Sequence, residues 1–431
     1  MKLQNRGRLA LVLCGTFAAA FSASAQNPVT DWNNIAITSA LAASQVTAPG
    51  SNSQAGSILY LAYVHLAIYD AVNAIDHRFQ SYGADISAPA DASKEAATIE
   101  AAYHMLVYLF PDLTGTLTTQ YNSALAVIPD GAAKTAGMQA GQAAASLIIA
   151  LRTNDGRGAN VPYTFPSVPT PGVWIKTPPG YLAPAIPWLS KVVPFTMSSP
   201  SEFRPGPPPA LTSKEWADDY NQVKALGAVD SAVRTPQQTE IGLFWTDHVG
   251  TQYSRAFRAL VAARNLDVSD SARFFATMFT TGADALIGCW DAKYHYSFWR
   301  PVTAIPNGDI DGNPDTIKDP AWMPLLATPN HPEYPSAHSC QTGSYAAALK
   351  NFFGTPHVTL VVSSTVTNTT HTFTNTKDWE KEVEYARIYA GFHYHNSVVQ
   401  GVVLGKKVSD QVSREFFQPL SKHESKDKSD D

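Results

Sequence analysis

Lys293 and Arg300 stand seven residues apart in the run Lys293-Tyr-His-Tyr-Ser-Phe-Trp-Arg300-Pro301. That spacing is close to two helical turns and predicts both cations on one face of a helix that Pro301 ends. Two like charges so placed repel each other unless an anion or carboxylates lie between them. The neighbours Trp290, Tyr294, Tyr296, Phe298 and Trp299 are a poor coat for an exposed helix. A second run, His331-Pro-Glu-Tyr-Pro335-Ser336-Ala337-His338, reads as the entry to a helix with Ser336 at the N-cap. The free N–H groups and positive dipole of a helix start bind oxyanions, and His338 in that first turn can give or take a proton. A third run, Arg387-Ile-Tyr-Ala-Gly391-Phe-His393-Tyr-His395, offers a guanidinium fork for an oxyanion and, in His393, a nucleophile or metal ligand. Arg387 and His393 do not share a face of a straight helix, so Gly391 is expected to mark a turn between them. Taken singly, the runs read as solvated charges, a plain N-cap and ordinary histidines. In combination they read as an oxyanion site.

The elements that must position these runs are helical. Apolar residues recur at helical spacing over 31–47, 54–76, 92–109, 112–127 and 131–152, and again over 213–226, 235–246, 251–264, 268–299, 337–353 and 377–415. The stretch 54–76 is apolar nearly all round, as a core helix is. Between the two halves, residues 159–212 carry proline too densely for a helix or central strand and predict a long surface excursion. Its Tyr163, Phe165, Trp174, Tyr181 and Trp188 need somewhere to pack, which argues against a free linker. Residues 300–335 are irregular, and 357–375, rich in Val and Thr, fit either a short hairpin or a loop. The expected fold is all-α: a single large helical bundle domain with long Pro-rich loops, spanning 26–420.

The chain has 431 residues, 45% hydrophobic and 16% charged, with a formal net charge of −5. Such a balance draws neither nucleic acid nor anionic lipid in general, so an anion site must be a local cluster. The key basic residues sit among aromatics and not in a stripe, which implies no nucleic-acid partner. Residues 1–25 read as a secretory signal peptide: basic Lys2, Arg6 and Arg8, an apolar run from Leu9 to Phe21, and Ala23-Ser24-Ala25 before the cleavage point. Cys14 has further apolar residues after it, which disfavours a lipoprotein site. No later segment reads as a membrane span, and the product is expected to be exported, periplasmic or secreted. After cleavage Cys289 and Cys340 remain, either as a disulfide or as small buried residues, and no Cys-x-x-Cys metal cluster occurs. Residues 421–431 form a charged tail expected to be disordered.

Order and spacing together resemble the vanadium-dependent haloperoxidase and type 2 phosphatidic acid phosphatase superfamily, whose motifs read K-x6-R-P, P-S-G-H and S-R-x5-H. Here Lys293 with Arg300-Pro301, Pro335-Ser336-Ala337-His338, and Arg387 with His393 match in order. His65 to Asn73 and Phe244-Trp245-Thr-Asp247-His resemble the soluble, secreted haloperoxidase-like branch. The chain departs from the pattern at Ala337, where the family has Gly, at Ala386, where it has Ser, and at Ser397, where phosphatase members often carry an acidic partner for the final His.

The resemblance implies that Lys293, Arg300 and Arg387, with the Ser336 hydroxyl and Ala337 N–H, bind the equatorial oxygens of vanadate or phosphate. It makes His393 the axial ligand to vanadium or, in a phosphatase, the nucleophile that becomes phospho-histidine, and His338 the acid/base. Trp290 matches a pocket tryptophan, and Asp247 is implied as a partner of His338. His331 stands where bromoperoxidases tend to have His and chloroperoxidases Phe, which favours bromide or iodide. The implied activity is halide oxidation by hydrogen peroxide on a vanadate cofactor, with an organic acceptor. The alternatives are acid phosphatase action on a phosphoester at the same site, and an exported oxyanion-binding protein without catalysis.

Overall fold

The apolar spacings fold as helices in a computed structural model that describes residues 27–420; the leader and the charged tail lie outside the described residues. The first half contains α1 (Pro28–Ala42), α2 (Gln54–Asp76), α3 (Lys94–Leu109), α4 (Thr114–Ala126) and α5 (Ala132–Arg152). The second half contains α6 (Lys214–Leu226), α7 (Pro236–Phe244), α8 (Val249–Ala263), α9 (Val268–Tyr296), the single turn α10 (Pro301–Ala304) and α11 (Ala337–Phe353). An antiparallel hairpin of β1 (Leu360–Ser363) and β2 (Thr370–Phe373) then leads to α12 (Thr376–Tyr389) and α13 (His395–Glu415). The fold is all-α, and the open alternative over 357–375 resolves as the hairpin.

Helix α2 is the axle of the first half. It packs on α3, α5 and α9, and its apolar surface is buried from Ala55 to Ile75. By length and composition it could cross a membrane, which the sequence reading did not anticipate, yet the whole of its apolar window lies inside the protein. One polar residue on it, His65, is sandwiched between Phe275 and Phe279 and reaches Asn33 at 2.9 Å, which ties α2 to α9 and α1. One continuous apolar core runs from Val29 to Phe417 through both halves, and an aromatic satellite gathers around Trp216 of α6.

In the second half α11 lies against α13 and α9. Small residues let α13 approach closely: a Cβ on Gly401 would meet Ser336 O at 2.7 Å, and one on Gly343 would meet Val402 Cα at 2.8 Å. The contact also fixes the turn before α11, because Ser336 N donates to Ser397 O at 3.1 Å.

The proline-rich excursion packs as expected, with one exception. Trp174 is fully buried against Tyr163 and Phe165, and Trp188 is buried too, but Tyr181 is 59% exposed. The excursion is pinned to α9 by buried Asp284, which accepts from the Phe195 and Thr196 N–H groups and the Thr196 hydroxyl.

Two cations share no helix face. Helix α9 ends at Tyr296 because Ser297 adopts a left-handed conformation (φ 47°) and caps it through a bond from its N–H to Lys293 O. Arg300 is the N-cap of α10 and Pro301 is that turn's first residue. Pro301 therefore starts a helix, and Lys293 and Arg300 come together from either side of the break at Ser297 by bonding to carbonyls of the same loop, residues 331–335. Farther on, Gly391 (φ 78°) does mark the expected turn, dividing 377–415 into α12 and α13.

Gly401→Ala is expected to force α13 away from Ser336, at a cost of about 1–3 kcal/mol for overpacking. A denaturant titration checks this; an unchanged midpoint would show that the contact yields freely.

Candidate active site

Four chain ends converge: the C-terminus of α9, the loop before α11, the start of α11, and the α12–α13 turn. Lys293, Arg300 and Arg387 are brought together there, at 0%, 0% and 2% exposure. Burying a charge is costly unless it is hydrogen-bonded, and backbone carbonyls do most of that work. Lys293 Nζ donates to Pro332 O, Glu333 O and Pro335 O at 3.0, 2.9 and 2.5 Å. Arg300 donates from Nε to His331 O at 3.0 Å and from Nη1 to Phe392 O at 2.9 Å. Arg387 donates from Nη1 to Trp245 O at 2.9 Å, and its Nε has no partner. Burial pulls Lys293 down to about 8, Arg300 to about 10 and Arg387 to about 9, with repulsion from a neighbouring cation adding in each group except Arg300.

The histidines are neutral. Burial, reinforced by the surrounding cations, holds His331, His338 and His393 well below the usual imidazole range. His331 accepts from Arg300 Nη2 at 2.9 Å through Nδ1 and leans on the Trp290 ring. His338 stands in the first turn of α11, and its buried Nε2 has no partner. His393 has its tautomer set by its neighbours: Arg300 Nη1 donates to Nε2 at 3.1 Å, so the ring proton is on Nδ1 and is given to Glu333 Oε1 at 2.7 Å.

Glu333 is the residue that the sequence reading missed. It is completely buried and also accepts from Tyr394 N at 3.1 Å. Burial pushes its carboxyl up to about 7 even beside Arg300 and Lys293. Its signal in the sequence was slight: it is the one acidic residue in the run from His331 to His338. It occupies the position on His393 Nδ1 that an acidic residue at 397 would take; Ser397 itself lies 3.4 Å from Nδ1.

Asp247 does not partner His338. Its carboxylate accepts from Arg255 Nη2, Thr365 N and the Thr365 hydroxyl, each at 2.9 Å, and so braces the hairpin against α8. The segment containing it serves the site differently, through Trp245 O on Arg387. Ser336 caps α11 as expected, accepting from Ser339 N at 3.5 Å. Ala337 has no positive φ, so a helical first position accommodates it in place of Gly. Cys289 and Cys340 are free, buried thiols behind the loop.

A cavity of about 440 Å³ opens onto this cluster. Trp290, His331, Ala337, His338, Arg387 and His393 line it, whereas Lys293, Arg300 and Ser336 stand behind the lining. Three buried cations face one carboxylate, and His338 Nε2, Ser339 Oγ and Arg387 Nε have no partners. A cluster with that excess of positive charge and unused polar groups fits a tetrahedral oxyanion.

Residues 273–422 match the family model described as the VCPO second helical-bundle domain. That segment, which holds every motif residue of the site, is similar to the second helical-bundle domain of that family. It is 28% identical over 270 residues to vanadium chloroperoxidase of Curvularia inaequalis, a match that covers 51% of this chain and 44% of that protein. The chain thus spans less than half the length of that curated relative. Among solved structures it resembles a bacterial vanadium-dependent iodoperoxidase with a TM-score of 0.77 at 21% identity, over 91% of this chain and 98% of that one. It also resembles a holo-type bacterial vanadium-dependent chloroperoxidase with a TM-score of 0.67 at 16% identity, over 84% and 92%. These likenesses establish the haloperoxidase fold beyond the motif-bearing half.

Sulfate keeps its charge over neutral and mildly alkaline pH, so it reports the protein's own titration. The charged form of Lys293 favours anion binding and is present below about 8. Glu333 gains its negative charge as pH rises through about 7, so sulfate affinity, followed by calorimetry, is expected to fall progressively as pH rises through about 7 and then about 8. A flat profile to pH 10 (roughly the ordinary lysine value) would contradict this. Glu333→Gln removes the acceptor that fixes the His393 tautomer. Imidazole ¹⁵N shifts are expected to show mixed tautomers at His393, with Glu333→Asp restoring much of the native pattern.

Proposed function

We propose that this chain is a vanadate-dependent haloperoxidase that oxidises halide with hydrogen peroxide, bromide and iodide being favoured over chloride. The reaction is X⁻ + H₂O₂ + H⁺ → HOX + H₂O. The observation that carries the reading is the buried, undercompensated trio Lys293, Arg300 and Arg387 beside a neutral His393 whose Nδ1 proton is committed to Glu333. Such a site suits vanadate: the cations would neutralise its oxygens, the first-turn N–H groups at Ala337 would help hold it, and His393 would supply a nitrogen ligand. Bound vanadate would supply activation of peroxide toward the halide. His338 holds or releases a proton at Nε2, within a cavity where desolvation strengthens each polar contact. His331 supports the halide preference, since it replaces a bulky apolar ring with an imidazole in contact with Arg300. One of the solved relatives is an iodoperoxidase, in keeping with iodide. The basic and apolar leader of residues 1–25 supports export.

One observation favours phosphatase action as a second reading. Glu333 supplies His393 with the carboxylate that Ser397 cannot, and an imidazole so paired is a better nucleophile toward phosphorus.

Purified protein incubated with vanadate is expected to form triiodide from iodide and peroxide and to brominate a phenolic dye, both depending on added vanadate. Arg387→Ala is expected to weaken vanadate binding about 10- to 100-fold, the scale of one or two charged hydrogen bonds. Halide oxidation absent at saturating vanadate would overturn the reading. Vanadate-inhibited hydrolysis of nitrophenyl phosphate that vanishes in His393→Ala would establish the second.

A further inference from the structure

Two thiols lie directly behind the oxyanion cluster, outside the set that faces the anion. Cys289 on α9 and Cys340 on α11 are both fully buried, and the helices that carry them pack against each other. The thiols meet across that contact. Cys340 Sγ–H donates to Cys289 Sγ, and Cys289 Sγ–H donates in turn to Pro335 O at 3.6 Å. Pro335 O is also the carbonyl that Lys293 Nζ reaches at 2.5 Å, so the pair ends on the turn that leads into Ser336 and Ala337. Among the described residues no group of three or more metal-ligating side chains comes together, and two sulfurs fall short of the four ligands of a structural zinc site.

Buried thiols are ordinarily inert, but this pair differs from a lone buried cysteine. Each sulfur has the other as a partner, so an oxidation begun at one can be completed at the second. Burial raises the Cys289 thiol, yet the bond from Cys340 and the Lys293 and Arg300 cations more than offset this and bring it below the usual thiol range. Burial and the bond to Cys289 hold Cys340 well above that range. The electropositive surroundings thus favour Cys289 as the attacking sulfur. The pair also borders the cavity wall: Leu286 and Trp290 flank Cys289 along α9, Ala337 and Gln341 flank Cys340 along α11, and all four line the cavity. Hydrogen peroxide, little larger than water, is the oxidant that the proposed reaction brings there.

We infer that Cys289 and Cys340 form a peroxide-reactive dithiol that closes to a disulfide and locks the end of α9 to the start of α11. The balance is 2 RSH + H₂O₂ → RSSR + 2 H₂O. The Cys289 sulfur attacks one peroxide oxygen: the S–O bond forms, the O–O bond breaks, and the leaving hydroxide takes the Cys289 proton as water. The Cys340 sulfur then attacks the sulfenic acid: the S–S bond forms, the S–O bond breaks, and hydroxide leaves with the Cys340 proton as a second water. Two electrons leave the sulfurs and reduce both peroxide oxygens. The loop so closed contains Arg300, His331, Glu333 and Ser336, so the lock bears on the segment that builds the site.

Full-length protein is reduced, freed of reductant, treated with a few equivalents of hydrogen peroxide, then unfolded in an alkylating reagent and digested. Mass spectrometry is expected to find the Cys289 and Cys340 peptides joined, apart from that of Cys14 in the leader, and dithiothreitol is expected to release them. The melting temperature is expected to rise by about 5 °C on oxidation, the scale for closing a loop of about 50 residues in a chain of this size, and to return on reduction. Cys340→Ala is expected to stop Cys289 at the sulfenic acid, captured by dimedone, and Cys289→Ala to leave Cys340 unmodified at the same dose. Both thiols still open to alkylation after peroxide, or oxidised to sulfinic acid without a cross-link, would overturn the inference. Should the alanine variants fail to fold, the peptides of the unsubstituted protein decide alone. No halide or vanadate enters the test, so the haloperoxidase reading and the dithiol stand or fall separately.

Discussion

Three cations held away from water set the terms for everything around them. Lys293, Arg300 and Arg387 are all but inaccessible, and only Glu333 among their neighbours carries opposing charge. An ion moved into a protein interior loses several kcal/mol of hydration even after relaxation. The chain recovers much of this by turning carbonyls inward: Pro332, Glu333 and Pro335 toward Lys293, His331 and Phe392 toward Arg300, and Trp245 toward Arg387. A helix interior cannot lend its carbonyls, since they are committed to its own ladder. The site therefore had to be made where helices end. The left-handed break at Ser297, the loop before α11 and the turn at Gly391 are the structural consequences of that need.

This also explains the division of labour between the halves. The match to the family model is confined to residues 273–422, whereas the fold likeness to the iodoperoxidase covers 91% of the chain. Around the cations, residue type and spacing are both constrained by chemistry. Helices α1 to α5 have only to bury apolar faces against α9 and one another, and many sequences of similar volume do that equally well. The sandwich of His65 between Phe275 and Phe279 shows how the first half still reaches the second: it steadies the helix whose far end presents Lys293.

Helices were legible wherever apolar residues kept a 3.6-residue period, to the residue for α2 and α11. The motif residues were legible because their types are expensive to bury without purpose. What was hidden was hidden for physical reasons. Ser297 carries no breaker's mark, being neither Gly nor Pro, and adopts its left-handed backbone to redirect the chain toward Arg300. Asp247 sits in a segment that does serve the site, but a carbonyl does the serving, and side-chain types say nothing about carbonyls. Glu333 lies in an irregular loop, where no periodicity assigns a face, so residue spacing could not pair it with His393, sixty residues on.

Ala337, Ala386 and Ser397 are the departures from the family pattern, and each has a structural answer that bears on chemistry. Ala337 occupies a first helical position with ordinary backbone angles, so the donor that an oxyanion needs there is kept. Ala386 is fully buried in α12, where a methyl packs without leaving a hydroxyl to satisfy. Ser397 gives up the carboxylate, but Glu333 restores one from another element and adds a bond to Tyr394 N that fixes its orientation. The oxyanion cluster alone does not choose between halide oxidation and phosphoryl transfer, because both need the same neutral imidazole and the same cations. The choice falls to what surrounds the cluster. The chamber is walled mainly by Ile186, Val249, Leu286 and Leu326, with Gln54, Asn330 and Gln341 as its few polar amides and no carboxylate. On that side of the site, where the motifs do not reach, the balance tips toward halide chemistry.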